Sequence, residues 1–310
     1  AMVFFSTQKV YNERKIPINS NIWRKRKMKK KTKRKTSKDR LLRIFAIICI
    51  AVFVFCGCSS EAETDGTKTK ELPQIVIGCD DYPPYNYIGT DGRPTGIDVA
   101  LATEAFKRMG YQVKFSFIDW ERKKTLLEKG EIDCIWCCFS MDGRETEYQW
   151  AGPYMRSFQV VAVTAESKIQ SLQDLKGKCV AVQSTTKPEE ILLHTEEYHL
   201  PELEALFCMQ NRELIYSFLS KGHADAIAAH ESSIIQYIND YGVEEQYRIL
   251  EEPLLTVGLG VAFAPDDDRG IAEELKKTLK EMYDEGKTEE ILTPYLKTPK
   301  KYLEVYEDEN

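Results

Sequence analysis

Arg144 is a candidate carboxylate-binding residue, because it ends the segment FSMDGR, which follows a run of buried-strand character and a glycine turn. A planar guanidinium binds a carboxylate through two hydrogen bonds, and loops at strand ends commonly face clefts. A solvated surface arginine is the alternative. Thr185 and Thr186 precede a helix that opens at Pro188, where free backbone N–H groups favour anions. N-capping of that helix would use the same two hydroxyls.

The cysteines supply a second set of reactive groups. Six of the nine cysteines lie after residue 72, namely Cys79, Cys134, Cys137, Cys138, Cys179 and Cys208. The spacing Cys134-x-x-Cys137-Cys138 resembles a metal or redox motif, but strand alternation would put Cys137 on the face opposite the other two. We therefore expect small buried residues, with Cys138 near a cleft and with neither metal nor cofactor. Unpaired thiols indicate a reducing or anaerobic habitat.

An acid–base pair could be formed by His230 and Glu231 if both faced a cleft. The sequence lacks the Ser-His-Asp, Gly-x-Ser-x-Gly, His-Glu-x-x-His and P-loop patterns that mark common hydrolytic and phosphate-binding sites. A binding role is therefore favoured over catalysis.

Strands that alternate with helices must position these residues. Short β-branched or alternating runs predict strands at 74–78, 113–117, 134–139, 179–182 and 224–229. Apolar periodicity and capping residues predict helices at 97–109, 120–129, 212–221, 232–240 and 271–285, with a further helix opening at 187. This succession indicates an α/β layered fold.

The charge of the chain is divided between two segments. Residues 1–58 carry a net charge of +14, and residues 59–310 carry −20, although the whole chain sums to −6. An acidic globular part would repel phosphate, which excludes nucleic acid as a partner. The basic block precedes thirteen apolar residues, Ile44–Cys56, which as a helix rise only about 20 Å against a ~30 Å hydrocarbon core. This pattern predicts a secretory signal, with an uncleaved signal anchor as the alternative.

The C-terminal end of the predicted signal, at Gly57 and Cys58, resembles the cleavage site of a lipoprotein signal, in which the cysteine is lipidated and becomes the new N-terminus. We expect residues 1–57 to be this leader, with 1–27 an upstream extension because Met28 opens a complete signal. Residues 58–72 are polar and without periodicity, which predicts a flexible tether.

Five segments in a fixed order resemble the family 3 extracellular solute-binding proteins of ABC transporters. The segments are Gly78-x-Asp80 to Tyr85, Thr95 to Val99, Gly130-x-Ile132-Asp133, Ser171 to Lys178, and Gly222-x-Ala224-Asp225-Ala226. The resemblance implies a two-lobed, type II periplasmic-binding-protein-like α/β fold with two crossing hinge strands, near 158–163 and 254–263. It implies a first lobe of 73–157 plus 256–310 and a second lobe of 158–255.

The resemblance also implies a ligand cleft between the lobes, with the loop of Arg144 binding a carboxylate and aromatic residues forming the walls. The implied ligand-binding residues are Asp80, Tyr82, Tyr85, Trp120, Cys138, Phe139, Ser140, Arg144, Thr185, Thr186 and His230. Three positions depart from the family. Ser140 and Arg144 are four residues apart rather than five, Thr185 replaces a glycine, and His230 replaces the aspartate that binds the ligand ammonium. Asp80 could contribute negative charge from the other lobe.

The function implied is that of a monomeric binding protein, lipid-anchored at the extracellular face of the cytoplasmic membrane. It would capture an amino acid or similar small polar ligand between closing lobes and deliver it to an ABC transporter permease. Two other classes stay open at this point: a cleft enzyme of the same fold, similar to a dehydratase, and a receptor module for a membrane sensor.

Overall fold

Residues 72–305, which the computed structural model describes, alternate between strands and helices. The strands are β1 (Gln74–Cys79), β2 (Tyr87–Ile88), β3 (Pro94–Thr95), β4 (Gln112–Phe117), β5 (Cys134–Ser140), β6 (Gln149–Thr164), β7 (Cys179–Gln183), β8 (Ala205–Met209), β9 (Ala226–His230), β10 (Tyr247–Ile249) and β11 (Leu255–Phe263). The α-helices are α1 (Ile97–Arg108), α2 (Lys123–Glu128), α3 (Lys187–Leu193), α4 (Glu213–Ser220), α5 (Glu231–Tyr241), α6 (Ile271–Asp284) and α7 (Lys287–Leu292). Short 3₁₀ helices lie at Trp120–Arg122, Leu172–Leu175 and Pro299–Tyr302.

One sheet continues through both halves of this region, in the order β4-β1-β5-β11-β6-β9-β7-β8, and β10 pairs with β6. In the first lobe β1 lies parallel between β4 and β5, and in the second lobe β7 lies parallel between β8 and β9. Strands β6 and β11 are antiparallel and join these sets, because β11 pairs with β5 while β6 pairs with β9. They are the two crossing strands of a two-lobed α/β fold.

Apolar clusters lie on either side of the crossing strands. The largest cluster draws on residues 75–155 and 257–303. Two more lie in the second lobe, and β6 contributes Val161 to one and Val160 to the other. Since neighbouring strand residues point to opposite faces, these two clusters cover the two faces of the sheet. Phe158 of β6 and Leu255 of β11 each pack against clusters on both sides, so the core divides where these strands cross.

Gly96 fixes the turn that precedes α1. Its φ of 122° suits glycine, and a Cβ atom here would lie 2.2 Å from the Tyr85 carbonyl oxygen. The close approach allows the Ile97 and Asp98 N–H groups to donate to the carbonyls of Pro84 and Tyr85, at 2.9 and 3.0 Å. The loop that carries Tyr82 is thereby held against the first lobe.

Two predicted elements differ in detail from the structure, and two strands have no predicted counterpart. The expected helix at 120–129 begins as a 3₁₀ turn, capped by Asp119, and becomes α-helical only at Lys123. The first crossing strand begins at 149 rather than 158, because Gly152 and Pro153, which weaken a strand prediction, lie inside β6 opposite Gly260. Strands β8 and β10 have no strong sequence signal and were not predicted.

The predicted leader at 1–57, the lipidation of Cys58 and nearly all of the tether lie outside the described residues. Between residues 72 and 305, no helix combines the length and the apolar character needed to cross a bilayer.

Candidate functional site

A cavity lies at the ends of β1 and β5 of the first lobe and of β7 and β9 of the second. Its lining residues are Asp80, Tyr82, Trp120, Cys137, Cys138, Phe139, Ser140, Arg144, Gln183, Thr185, Thr186, Lys187, Pro188, Arg212, Ile215, Ala228, Ala229 and His230. Ten of the eleven residues expected from the sequence are brought together here, and Tyr85 is the exception. The cavity is thus formed by both lobes, with charged groups set among aromatic and small apolar side chains.

Arg144 reaches the cavity from the loop after β5. Its backbone is fixed by the Trp150 indole N–H, which donates to the Arg144 carbonyl at 3.0 Å. The guanidinium lies 5.3 Å from the Phe139 ring centre, and its Nη1 donates to the Ser140 carbonyl at 3.2 Å. Its Nη2 donates to Glu190 Oε2 at 3.0 Å, and Glu190 belongs to the second lobe. Arg144 therefore forms an ion pair with a carboxylate of the second lobe, and its binding of a ligand carboxylate stays a prediction.

Glu190 binds a second cation that sequence reasoning missed. Lys187 Nζ donates to Glu190 Oε1 at 2.5 Å and to the Tyr198 hydroxyl at 3.1 Å, and the lysine is buried in the cavity wall. The only sequence signal is a Lys–Glu pair three residues apart, which is also typical of a solvated helix face.

The loop of Thr185 and Thr186 joins β7 to α3. Thr186 donates its hydroxyl to the Gln183 carbonyl at 2.6 Å rather than capping the helix, so the N-capping alternative does not hold for it. Thr185 has a φ of 57°, a left-handed conformation that is unusual for a β-branched residue. Its N–H donates to Glu189 Oε2 at 2.5 Å. The position thus suits the glycine that the family carries there.

Lys123 links this loop to the first lobe. Its ammonium donates to the Thr185 carbonyl and hydroxyl, at 3.2 and 3.0 Å, and lies 4.6 Å from the Trp120 ring centre. Burial, with a smaller effect of the nearby Arg144 charge, lowers the pKa of Lys123 to about 8. The lysine therefore fixes the Thr185 loop beside the aromatic wall.

Aromatic side chains form the walls at Tyr82, Trp120 and Phe139. Trp120 meets the Phe139 ring edge to face, with 5.6 Å between ring centres, and Tyr82 meets His230 in the same manner at 5.8 Å. Tyr85 was expected on the wall, but the structure places it below the lining. Its buried hydroxyl needs hydrogen-bond partners and finds them in Ser157 at 3.2 Å and Ser232 at 2.7 Å.

His230 ends β9 and lies in the cavity wall. Its Nδ1 is 2.7 Å from the Ser157 hydroxyl oxygen, and the Gln159 amide nitrogen lies 3.3 Å from Nδ1 and 3.2 Å from Nε2. Burial, with a smaller effect from the Arg212 charge, lowers the pKa of His230 to about 3. The imidazole is therefore neutral at physiological pH, and it supplies no negative charge for an ammonium group.

Arg212 is the second arginine of the cavity and was not predicted. It precedes α4, and its guanidinium lies 4.4 Å from the Tyr82 ring centre. Its Nη1 donates to Ser233 Oγ at 2.7 Å, and its Nη2 lies 3.2 Å from Glu213 Oε1 and 3.5 Å from the Asp81 carbonyl oxygen. Its Nε is buried and has no hydrogen-bond partner among the described residues. The sequence marks this position only as the start of a helix.

Asp80 is the carboxylate of the cavity lining. Gln183 Nε2 donates to its Oδ2 at 2.7 Å, which links the ends of β1 and β7, and the Asp81 N–H donates to its Oδ1 at 2.9 Å. Burial raises the pKa of Asp80, whereas these hydrogen bonds lower it. Both carboxyl oxygens of Asp80 are thus already engaged by donors.

Cys137 and Cys138 both line the cavity, so the expected alternation is wrong at this point. Cys138 has a φ of 41°, which turns its side chain from the face that a regular strand would give it. The buried Asp98 carboxylate fixes this conformation by accepting the Cys138 N–H at 2.7 Å. All six described cysteines are free, and Cys179 and Cys208 are half-buried rather than buried as expected.

Two α/β lobes, joined by two crossing strands and enclosing a charged cavity at their junction, define the class of two-lobed solute-binding proteins. Within that class, residues 75–298 match the model of the bacterial extracellular solute-binding proteins, family 3. The chain belongs to this family, whose members are extracellular or periplasmic proteins that capture a solute for an ABC transporter.

Individual relatives agree with this assignment. The histidine-binding periplasmic protein of Escherichia coli K12 is 28% identical over 233 residues, which are 72% of this chain and 88% of that protein. The arginine-binding extracellular protein ArtP of Bacillus subtilis is 27% identical over 223 residues, 70% of this chain and 84% of that protein. A substrate-binding protein of an ABC uptake transporter from Streptococcus pneumoniae, solved with bound histidine, has the same fold. Its TM-score is 0.66 at 24% identity, over 72% of this chain and 92% of that one.

Proposed function

We propose that this protein captures an amino acid or a similar small polar ligand in the cavity and delivers it to the permease of an ABC transporter. The observation that carries the proposal is the Arg144 guanidinium, which binds a carboxylate across the cavity at 3.0 Å. A ligand carboxylate would take the place of the Glu190 carboxylate. The relatives that bind histidine and arginine support an amino-acid ligand.

Closure of the lobes is the proposed mechanism. We assign the first lobe to 73–157 plus 256–310 and the second to 158–255, with rotation about β6 and β11. Polar contacts already join the two sides around the cavity: Gln183 to Asp80, Lys123 to Thr185, and Gln210 to Asp119. Closing the lobes would remove the ligand from water, which strengthens its charged hydrogen bonds, and would create the surface that a permease recognises.

The roles of the remaining residues follow from their positions. Tyr82, Trp120 and Phe139 would enclose the apolar part of the ligand, and Ser140 and Thr186 lie beside Arg144 in the lining. Tyr85 would act indirectly, because its hydroxyl joins Ser157 and Ser232 beneath His230.

Binding without chemical conversion is the second part of the proposal. His230 has a pKa of about 3, so at neutral pH it is an uncharged imidazole and too weak a base to suit proton transfer near pH 7. The adjacent Glu231 is directed elsewhere, because its carboxylate accepts from Lys301 Nζ at 2.7 Å and from the Tyr302 hydroxyl at 3.0 Å. His230 and Glu231, which could have formed an acid–base pair, therefore contact different groups and do not face the cavity together.

A panel of amino acids, simple carboxylates and amines, screened by thermal shift and then by calorimetry, tests the capture of a small ligand. At least one amino acid or carboxylate should raise the melting temperature and bind with 1:1 stoichiometry. If no member of the panel binds, the proposed function is wrong. If only amines without a carboxylate bind, the role of Arg144 is wrong.

We also propose that the mature chain is attached to the outer face of the membrane through a lipid on Cys58, with 58–72 as the tether. The Cys58→Ser variant of the full chain should move from the membrane fraction to the soluble fraction, whereas Cys49→Ser should not. Equal membrane attachment of both variants would contradict a lipid on Cys58.

A further inference from the structure

The charges that line the cavity are unequal. Arg144, Lys187 and Arg212 contribute three cations, and Asp80 contributes one carboxylate. Three glutamates outside the lining offset part of this charge. Glu190 binds the first two cations, Glu213 binds Arg212, and Glu189 binds the Thr185 N–H. The side chain of Glu190 is one-third exposed and that of Glu213 is half-exposed, so solvent screens both.

Arg212 is buried without enough acceptors of its own. Its side chain is 6% exposed, its two terminal nitrogens contact a serine hydroxyl, a carbonyl and the half-exposed Glu213, and its Nε has no partner among the described residues. Leaving a donor of a buried cation unsatisfied is unfavourable, and an acceptor on a bound molecule would reduce that cost. The guanidinium therefore favours an anionic group in the adjoining cavity.

The surroundings of Arg212 do not suit an ammonium group. His230 is neutral, and its Nδ1 is already within 2.7 Å of the Ser157 hydroxyl oxygen. An ammonium placed there would meet the Arg212 charge, and Asp80, the carboxylate of the lining, already accepts from Gln183 and from the Asp81 N–H. The end of the cavity formed by Arg212 and His230 thus offers hydrogen-bond donors and positive charge.

We propose that the ligand is a small dicarboxylate, with one carboxylate bound by Arg144 and the second by Arg212. This rests on the proposed function, in which the cavity is the solute site. The aromatic and small apolar residues of the lining, such as Trp120, Phe139 and Ala228, would contact the short carbon chain between the two carboxylates. An amino group on the ligand is compatible with the site, but it is not the group that the site selects.

Ligand pairs that differ by one charge test the proposal on the unmodified protein. Succinate against succinamate, and glutamate against glutamine, keep the shape and replace one carboxylate by an amide. Calorimetry should show the diacid binding at least about 10-fold more tightly in one of the two pairs, since hydrogen bonds to charged groups exceed those to neutral ones. Equal binding within both pairs, or tighter binding of arginine or lysine, would overturn the proposal.

The Arg212→Gln variant locates the effect, with Arg93→Gln as a control that removes the same charge from an exposed turn. Arg212→Gln should weaken diacid binding about 10- to 100-fold and change binding of the monoamide less than about 3-fold. Arg93→Gln should change neither. If Arg212→Gln does not fold by circular dichroism, Arg212→Lys keeps the charge without the planar fork and should still lose affinity for the diacid.

The two proposals fail in different ways. If neutral or cationic amino acids bind and Arg212→Gln leaves their affinity unchanged, capture of an amino acid stands and the dicarboxylate assignment is wrong. If no diacid, monoamide or amino acid binds, the proposed function is wrong and the dicarboxylate assignment is wrong with it.

Discussion

The two arginines of the cavity are held in different ways. Arg144, on the first lobe, already binds a carboxylate from the second lobe at 3.0 Å. Arg212, on the second lobe, lies over the Tyr82 ring and has a buried nitrogen without a hydrogen-bond partner in the 72–305 region. A ligand carboxylate must replace Glu190 at Arg144, whereas at Arg212 it would add an acceptor to a guanidinium that has too few of them. The same residue type is therefore paired with a carboxylate at one end of the cavity and short of acceptors at the other.

The largest effect is expected from Arg144→Ala. Removing the guanidinium should weaken ligand binding about 100-fold or more, because a charged, two-pronged hydrogen bond to carboxylate is lost. The free energy of unfolding should change by less than about 1 kcal/mol, since Glu190 keeps Lys187 and is partly exposed. Calorimetry and urea unfolding measure the two quantities, and Arg93→Ala is the control. Unchanged affinity would remove Arg144 from the site and leave Arg212 as its main anion-binding residue.

The next largest effect is expected in the pH dependence of the free energy of unfolding, to which the neutral His230 near Arg212 contributes. The pKa of His230 is about 3 in the folded protein and near 6.5 when unfolded, so its contribution to stability is complete above pH 6.5 and is lost as pH falls towards 3. Between pH 6.5 and pH 5 the loss should approach about 2 kcal/mol. His230→Asn should remove this part of the pH dependence in urea unfolding, whereas His194→Asn, at an exposed position, should not. Equal pH profiles for wild type and His230→Asn would show that the imidazole is protonated in the folded state.

A smaller effect should follow from Glu190→Gln, which removes the carboxylate already bound to Arg144. If the ligand displaces Glu190, affinity should rise about 2- to 5-fold, because a partly exposed ion pair contributes at most about 1 kcal/mol. The matched control is Glu196→Gln, which makes the same charge change at an exposed position. Weaker binding by Glu190→Gln would mean that the Arg144–Glu190 pair stabilises the closed, liganded form.

The smallest effect is expected at Thr185, whose φ of 57° is unfavourable for a β-branched side chain. Asparagine adopts this conformation more readily, so Thr185→Asn should raise the free energy of unfolding by about 0.5–1 kcal/mol. Thr185→Val keeps the branch and should give no gain. Chemical unfolding of both variants measures the difference, and equal stability would mean that the backbone strain is relieved elsewhere.

Much of the fold could be predicted because it depends on patterns within single segments. The continuous apolar run at 134–139 predicts a buried strand, and the structure confirms it as β5, in which every residue is buried. The helix predicted at 271–285 is likewise present as α6, and Leu275, Leu279 and Met282, which recur at helical spacing, are buried. Strand β6 was predicted too short because its beginning contains a glycine and a proline, whose effect on a strand depends on the partner strand β11.

The site could be predicted only where the resemblance marks it. Arg144 lies in a loop that the resemblance marks. Arg212 comes after β8, and because that strand was not predicted, there was no reason in the sequence to place Arg212 beside the cleft. Cys138 enters the lining because Asp98, forty residues away in sequence, fixes its backbone at 2.7 Å. Contacts of this kind join distant segments, and no local periodicity encodes them.

The position of β11 in the sheet has a consequence for the order in which the chain can fold. This strand lies between β5 and β6, yet it is the last of the described strands along the chain. Until residues 255–263 have emerged during synthesis or export, β5 cannot form the pairing that completes the first lobe, and the exposed edge can pair with other chains. The second-lobe strands β7, β8 and β9 lie within 179–230 and can pair earlier. The first lobe, although it begins first, is therefore the last to be completed.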